Sequence, residues 1–166
     1  LSRQKGFDTL IRAVAKLRET IPARLMILGE GERRGRLENL IAELGLSDVV
    51  SLPGFSNNPY QFMRKADLFV MSSLWEGPGH VLIEAQGVGT IVVTTDCPSG
   101  PRESLLDGRL GKIVPVGDHE AMAEAIAESL ANRERSDQIA IDGLAHSERY
   151  RPASVANSWS DLIESL

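Results

Sequence analysis

The stretch Trp75-Glu76-Gly77-Pro78-Gly79-His80-Val81-Leu82-Ile83-Glu84-Ala85 sets two carboxylates, Glu76 and Glu84, in an E-x7-E spacing around a Gly-Pro-Gly turn. Gly77-Pro78-Gly79 prevents an early helix start, and Pro78 suits a loop or the first helical position. The amides near Gly79, His80 and Val81 are then unpaired donors at the positive end of a helix, an arrangement suited to a diphosphate. Glu76 lies before that end and Glu84 more than a turn inside the helix, so neither carboxylate favours a phosphate electrostatically. They make more sense as acceptors for hydroxyl groups, one set on each side of the phosphates. A nucleotide sugar has that polarity: ribose hydroxyls, diphosphate, sugar hydroxyls. The plainer reading makes Glu76 a loop charge and Glu84 a solvated helix residue. Val81, Leu82, Ile83, Ala85 and Val88 around Glu84 argue against an idle exposed face.

Other groups carry less. Gly29-Glu30-Gly31 follows an apolar run and precedes a charged helix, where glycine lets the backbone approach a ligand closely. The full G-x-G-x-x-G is not there, because Arg34 precedes Gly35 and no ribose-binding acid follows; a tight turn and a ligand contact both stay open. Cys97, the one cysteine, has no accompanying His/Asp set and reads as a small loop residue. Of the three histidines, His119 falls at a helix start and His146 on a helix surface, leaving only His80 in a functional context. Trp75 and Trp159 read as packing residues.

The elements that must position these groups alternate along the chain. Apolar residues at helical spacing predict a helix over 6–20, then a strand over 24–28, a helix over 32–44 and a strand over 49–52 broken by Pro53-Gly54. A helix starting at Pro59, capped by Asn57 or Asn58, leads to a strand over 67–71. A helix over 79–87, a strand over 91–94, a short helix over 102–106 and a strand over 112–114 follow. An Asp118-capped helix runs through Ala131, and helices over 136–149 and 153–165 finish the chain. Strands that are apolar throughout and alternate with helices predict an α/β fold with a Rossmann-like, doubly wound parallel sheet covered on both faces. Ligands of such sheets bind beyond the carboxyl ends of the strands. The loops at those ends hold the candidate residues.

Size and charge set outer limits. A chain of 166 residues and 18.1 kDa, 42% hydrophobic and 25% charged, fits one globular domain that needs no disulfide or metal to fold. Eighteen Lys and Arg against 23 Asp and Glu give a net charge of −5, the wrong balance for a generic nucleic-acid binder. No apolar run approaches the roughly 18 residues of a membrane span. With a single cysteine and no signal-peptide pattern, a cytoplasmic location is expected.

Taken together, these stretches resemble the carboxyl-terminal half of a family 4 (group 1) retaining glycosyltransferase of the GT-B fold. The matching segments are Gln4-Lys5-Gly6-Phe7-Asp8, Leu28-Gly29-Glu30-Gly31, Leu52-Pro53-Gly54-Phe55, the Glu76…Glu84 pair and Thr95-Asp96-Cys97-Pro98-Ser99-Gly100-Pro101-Arg102-Glu103. The resemblance implies a nucleotide-sugar-binding domain over 1–166, with Lys5 on the donor diphosphate and Glu76 on hydroxyls of the transferred sugar; these are the catalytic candidates. It further implies that Glu84 holds the ribose and that Gly77, Gly79, His80 and Val81 serve the sugar and phosphates. Gly29 and Gly31 would line the cleft. Pro53, Gly54 and Phe55 would border the nucleobase, although Phe55 equally suits a core anchor. No metal or other cofactor is implied, and UDP-sugars are favoured over GDP-sugars from the Cys97–Glu103 loop.

The resemblance also carries expectations about what surrounds the chain. Pro78 stands where the family usually has an aromatic or aliphatic residue. The family's Gly-Arg pair and the central strand leading to it would precede Leu1, so a hole between neighbouring strands is expected, with the strand and an acceptor-binding domain belonging to a longer parent protein. Its acceptor would be a glycan or lipid-linked glycan in bacterial surface-polysaccharide or glycoconjugate synthesis, and membrane association stays open for the full-length protein. This chain by itself is expected to bind donor with little transfer. The alternative is a non-catalytic Rossmann-like nucleotide-binding or interaction module; a nicotinamide-binding domain would need the glycine fingerprint that is missing here.

Overall fold

The 3.6-residue spacing of Leu10, Ile11, Val14 and Leu17 builds the first helix, and the same alternation of helix and apolar strand continues through residues 1–165, which the computed structural model describes. The helices are α1 (Phe7–Leu17), α2 (Arg34–Glu43), α3 (Tyr60–Met63), α4 (His80–Gly87), α5 (Pro101–Ser104), α6 (His119–Ala131), α7 (Arg133–Ser147) and α8 (Pro152–Glu164). The strands are β1 (Leu25–Leu28), β2 (Val50–Gly54), β3 (Phe69–Met71), β4 (Val92–Thr95) and β5 (Lys112–Val114), and every pairing is parallel.

Strand order divides the sheet into two pieces, β1-β2 and β3-β4-β5, with no ladder between β1 and β3. Within the larger piece β4 is central and buried along its whole length. Its side chains alternate between two cores. Val93 packs with Ile11, Val14, Met122 and Ile126 on the α1/α6 side, and Val92 packs with Leu82, Ala85 and Leu105 on the α4/α5 side. Ile27 of β1 belongs to the first of these cores, so side chains join the two sheet pieces where backbone bonds do not.

Backbone does join them at one end. Arg3–Lys5 form a turn of 3-10 helix across the carboxyl ends of β1 and β3. On the β1 side the Leu1 amino group donates to Glu30 O, and the Arg33 amide donates to Leu1 O at 3.1 Å. On the β3 side the Leu74 amide donates to Gln4 O at 2.7 Å, and Ser72 Oγ to Lys5 O at 2.8 Å. Gly6 closes this turn at φ 57 and lies so near the Ser72 carbonyl that a Cβ would collide with it, which leaves glycine as the residue that fits.

Several local expectations change. β2 runs through Pro53 to Gly54, because Pro53 faces outward on an edge strand where no ladder donor is needed, and Gly54 O accepts from the Gly29 amide at 2.7 Å. α3 starts after Pro59 with no side-chain cap, so neither Asn57 nor Asn58 fills that place. Asp118 does cap α6, accepting from the amides of Glu120 and Ala121. α7 begins earlier than expected, at Arg133 behind an Asn132 cap. α8 buries none of its residues, and Trp159, expected as a packing residue, stands 61% exposed; Val155, Leu162 and Ile163 of the same helix are exposed too.

His146 is also less superficial than helical spacing implies. Its Nδ1 faces Gln86 Oε1 at 3.3 Å, while Gln86, buried in α4, donates through Nε2 to Ser104 O at 2.9 Å. α7, α4 and α5 are thus tied through one amide. Gln86 Oε1 accepts from the Nδ1–H, and His146 Nε2 is buried without a partner among the described residues. Burial pushes the imidazole below its ordinary value of 6.5, helped by Arg149 and Arg109. The unfolded chain therefore binds the extra proton first, so stability from this site is complete above that value and declines as pH falls through it. Urea midpoints should drop between about pH 7.5 and 5.5, and His146→Gln should flatten that part of the slope.

Candidate active site

The N-terminal turn and the loop after β3 meet at Glu76. Its Oε1 accepts from Lys5 Nζ at 2.7 Å and from Ser73 Oγ at 2.6 Å. Its Oε2 faces Gln4 Nε2 at 3.4 Å, and the same Gln4 nitrogen donates to Trp75 O at 2.9 Å. The Glu76 side chain is only 9% exposed against 41% for Lys5, so the carboxylate is fixed and the ammonium reaches solvent. Lys5 and Glu76 are thus brought together although 71 residues separate them.

α4 begins immediately beyond. Gly79 occupies the N-cap at φ 64, and the Leu82 amide turns back to Gly79 O at 2.9 Å. The amides of His80 and Val81 find no acceptor among the described residues. They form the free positive end that an anion can use. One turn along, Glu84 is half-buried with no hydrogen bond or ion pair among the described residues, and the His80 side chain is exposed. A free donor pair flanked by one anchored and one unengaged carboxylate can hold an anion with hydroxyls on either side.

The loop after β4 closes against this turn. Gly100, at φ 95, sits so near Pro78 that a Cβ would stand 2.6 Å from the Pro78 carbonyl oxygen. Behind it Arg102 grips Asp96 with bonds of 2.9 and 2.6 Å. Cys97 is buried, and burial raises its thiol above the ordinary range; the Glu76 carboxylate adds to this and Thr95 opposes it.

At the β1 end, Gly31 lies against the Leu1 backbone, Gly29 bonds across to β2, and Gly54 lies under the Glu30 carboxylate. Arg34 holds that carboxylate with bonds of 2.8 and 2.6 Å and keeps it below the usual range. Phe55 is 77% exposed, so it is no core anchor, and Trp75 is 47% exposed at the rim rather than packed. The sequence reading missed Ser73 and Thr95. Their signal was faint: hydroxyls just past the apolar runs of β3 and β4, with Glu76 three positions after Ser73. A separate hollow of about 280 Å³ lies at the opposite ends of β3 and β4, where Arg133 pairs with Asp67 at 2.9 Å and Ser136 bonds to Ser129 O. Among the described residues no three His, Cys, Asp or Glu side chains gather as metal ligands, and no helix is long and apolar enough to cross a membrane.

The sequence profile of the family described as "Glycosyl transferases group 1" matches residues 1–144. The chain belongs to that family. Among its relatives, an N-acetylgalactosamine-N,N'-diacetylbacillosaminyl-diphospho-undecaprenol 4-alpha-N-acetylgalactosaminyltransferase from Campylobacter jejuni is 40% identical over 130 residues, 78% of this chain and 35% of that protein. The lipopolysaccharide core biosynthesis glycosyltransferase LpsE of Rhizobium meliloti is 39% identical over 140 residues, 84% of this chain and 40% of that protein. A crystal structure of HepE from Anabaena in complex with UDP superposes with a TM-score of 0.90 at 25% identity, covering 100% of this chain and 47% of that one. The fold of this group 1 glycosyltransferase chain is accordingly Rossmann-like and of the GT-B type. It spans less than half the length of these relatives.

The contact between the two loops gives a stability test. Gly100→Ala must place a Cβ against the Pro78 carbonyl at a positive φ, and should cost about 1–3 kcal/mol in denaturant unfolding. Gly77→Ala, where a Cβ meets nothing within 4 Å, should stay within about 1 kcal/mol of wild type in the same measurement.

Proposed function

We propose that this chain binds a nucleotide-diphosphate sugar and forms the donor half of a retaining glycosyltransferase. The observation that carries the reading is the free amide pair of His80 and Val81, bracketed by Glu76 and Glu84 with Lys5 alongside. In this reading the diphosphate rests on the α4 amides and Lys5, Glu84 accepts from the ribose, and Glu76 accepts from the transferred sugar. Pro53, Gly54 and the exposed Phe55 border the base, and Gly29 and Gly31 line the cleft.

In the reaction, the bond between the anomeric carbon and the diphosphate oxygen breaks and its electron pair leaves with the phosphate. An acceptor hydroxyl oxygen bonds to the same carbon on the same face and passes its proton to the departing diphosphate oxygen. Lys5 and the helix amides stabilise the charge that develops on the departing diphosphate. The chain supplies no acceptor site of its own in this account. The acceptor, a glycan or lipid-linked glycan, is held by the remainder of a longer protein, and a hexosyl or N-acetylhexosaminyl unit is transferred without a metal. HepE, with UDP bound, and the Campylobacter and Rhizobium relatives support a UDP-sugar and a role in surface-polysaccharide or glycoconjugate synthesis.

Calorimetric titration with UDP, UDP-sugars and GDP-mannose tests the reading. UDP and UDP-sugars should bind more tightly than GDP-mannose. Glu84→Gln should weaken UDP by about tenfold through the ribose, and Lys5→Met by a similar factor, as expected for charge-assisted bonds. Lack of binding by every nucleotide would favour the interaction-module reading, and transfer by this chain equal to that of the full-length protein would overturn the division of labour.

A further inference from the structure

We propose that Ser73 and Gln4 are positioning residues for Glu76, fixing its carboxylate so that Oε2 is the atom presented to a hydroxyl of the transferred sugar. The inference rests on the donor-sugar reading of Glu76 and adds the residues that make that reading work.

Oε1 already receives two donors, Ser73 Oγ at 2.6 Å and Lys5 Nζ at 2.7 Å, which fills the two lone-pair directions of one carboxylate oxygen. Oε2 has only the long 3.4 Å approach of Gln4 Nε2, whose better bond runs to Trp75 O. Oε2 is therefore the atom with acceptor capacity left. The two donors on Oε1 differ in kind. Lys5 is 41% exposed on a flexible stem and is the cation a diphosphate would draw away. Ser73 is fully buried and cannot leave.

Ser73 is itself held. Its carbonyl accepts from Thr95 Oγ1 at 2.6 Å, and Thr95 is fully buried at the end of β4. β3 and β4 pair Met71 with Thr94, so the hydroxyl tie carries the strand ladder past its last backbone pair and into the loop bearing Glu76. A glutamate held by Lys5 alone would follow the ammonium to the phosphate. Held by Ser73 as well, it keeps its orientation while Lys5 is shared.

The test separates this role from simple loop stability. UDP, UDP-glucose, UDP-N-acetylglucosamine and UDP-N-acetylgalactosamine are titrated into wild type, Ser73→Ala, Gln4→Ala, Glu76→Gln and the Ser73→Ala/Glu76→Gln double variant, with circular dichroism confirming the fold of each. Ser73→Ala should weaken the preferred UDP-sugar about tenfold more than it weakens UDP, and should add nothing in the Glu76→Gln background. Equal weakening of UDP and UDP-sugar, or an undiminished effect in the Glu76→Gln background, overturns the proposal. If Ser73→Ala fails to fold, Gln4→Ala carries the same comparison with a smaller shift of about threefold. Wild type that binds UDP but whose UDP-sugar affinity ignores Glu76→Gln overturns the inference while sparing the nucleotide reading. Wild type that binds none of the four overturns both.

Discussion

The two sides of the functional end of this molecule are bridged by six residues lying across an opening in its sheet. β1 and β3 do not hydrogen-bond to each other, so nothing in the strand ladders sets the distance between the Gly29–Gly31 turn and the Ser72–Gly79 loop. Beside the shared side-chain core, Leu1 to Gly6 set it. They bond to Glu30 O and the Arg33 amide on one side, and to Ser72 and the Leu74 amide on the other. The same short segment delivers Lys5 and Gln4 to Glu76. One piece of backbone thus joins the two sheet pieces and furnishes two of the three side chains on the buried carboxylate.

This economy explains how charge is arranged at the site. Most ion pairs among the described residues are exposed pairs of small energetic weight, as at Lys16–Glu19 or Arg151–Glu148. Lys5–Glu76 differs because the carboxylate is nearly enclosed and has a second, neutral donor on the same oxygen. Removing the ammonium alone does not strip the carboxylate of partners. Glu84, by contrast, is half-buried and has no partner among the described residues, so its acceptor capacity is uncommitted. Two glutamates on one loop and helix are therefore tuned differently by their surroundings.

Much of this was legible in the sequence, for a local reason. Helical periodicity, apolar strand runs, the Asp118 cap and the Gly-Pro-Gly turn act over a few residues, and the structure keeps them. What sequence spacing could not convey was set by contacts across long separations. The Lys5–Glu76 bond spans 71 positions and the His146–Gln86 contact 60, so neither the depth of His146 nor the bond on Glu76 shows in local pattern. Pro53 looked like a strand breaker because its place on an edge is a property of the assembled sheet. Trp159 looked like a packing residue because hydrophobicity says what a residue would bury against, not whether a partner is present; here α8 leaves it exposed. Ser73 and Thr95 escaped notice because a serine and a threonine after a strand are commonplace, and only burial turns them into anchors.

The seat of Cys97 has a practical consequence. Its side chain is buried in the core on the α4/α5 side, and burial raises the thiol above its ordinary range and so disfavours the thiolate, the form that reacts. It is also the sole thiol of the chain. Any reagent that labels it must wait for a local opening that exposes the sulfur. The rate of alkylation then becomes a clock for that opening, read from one atom without an added probe.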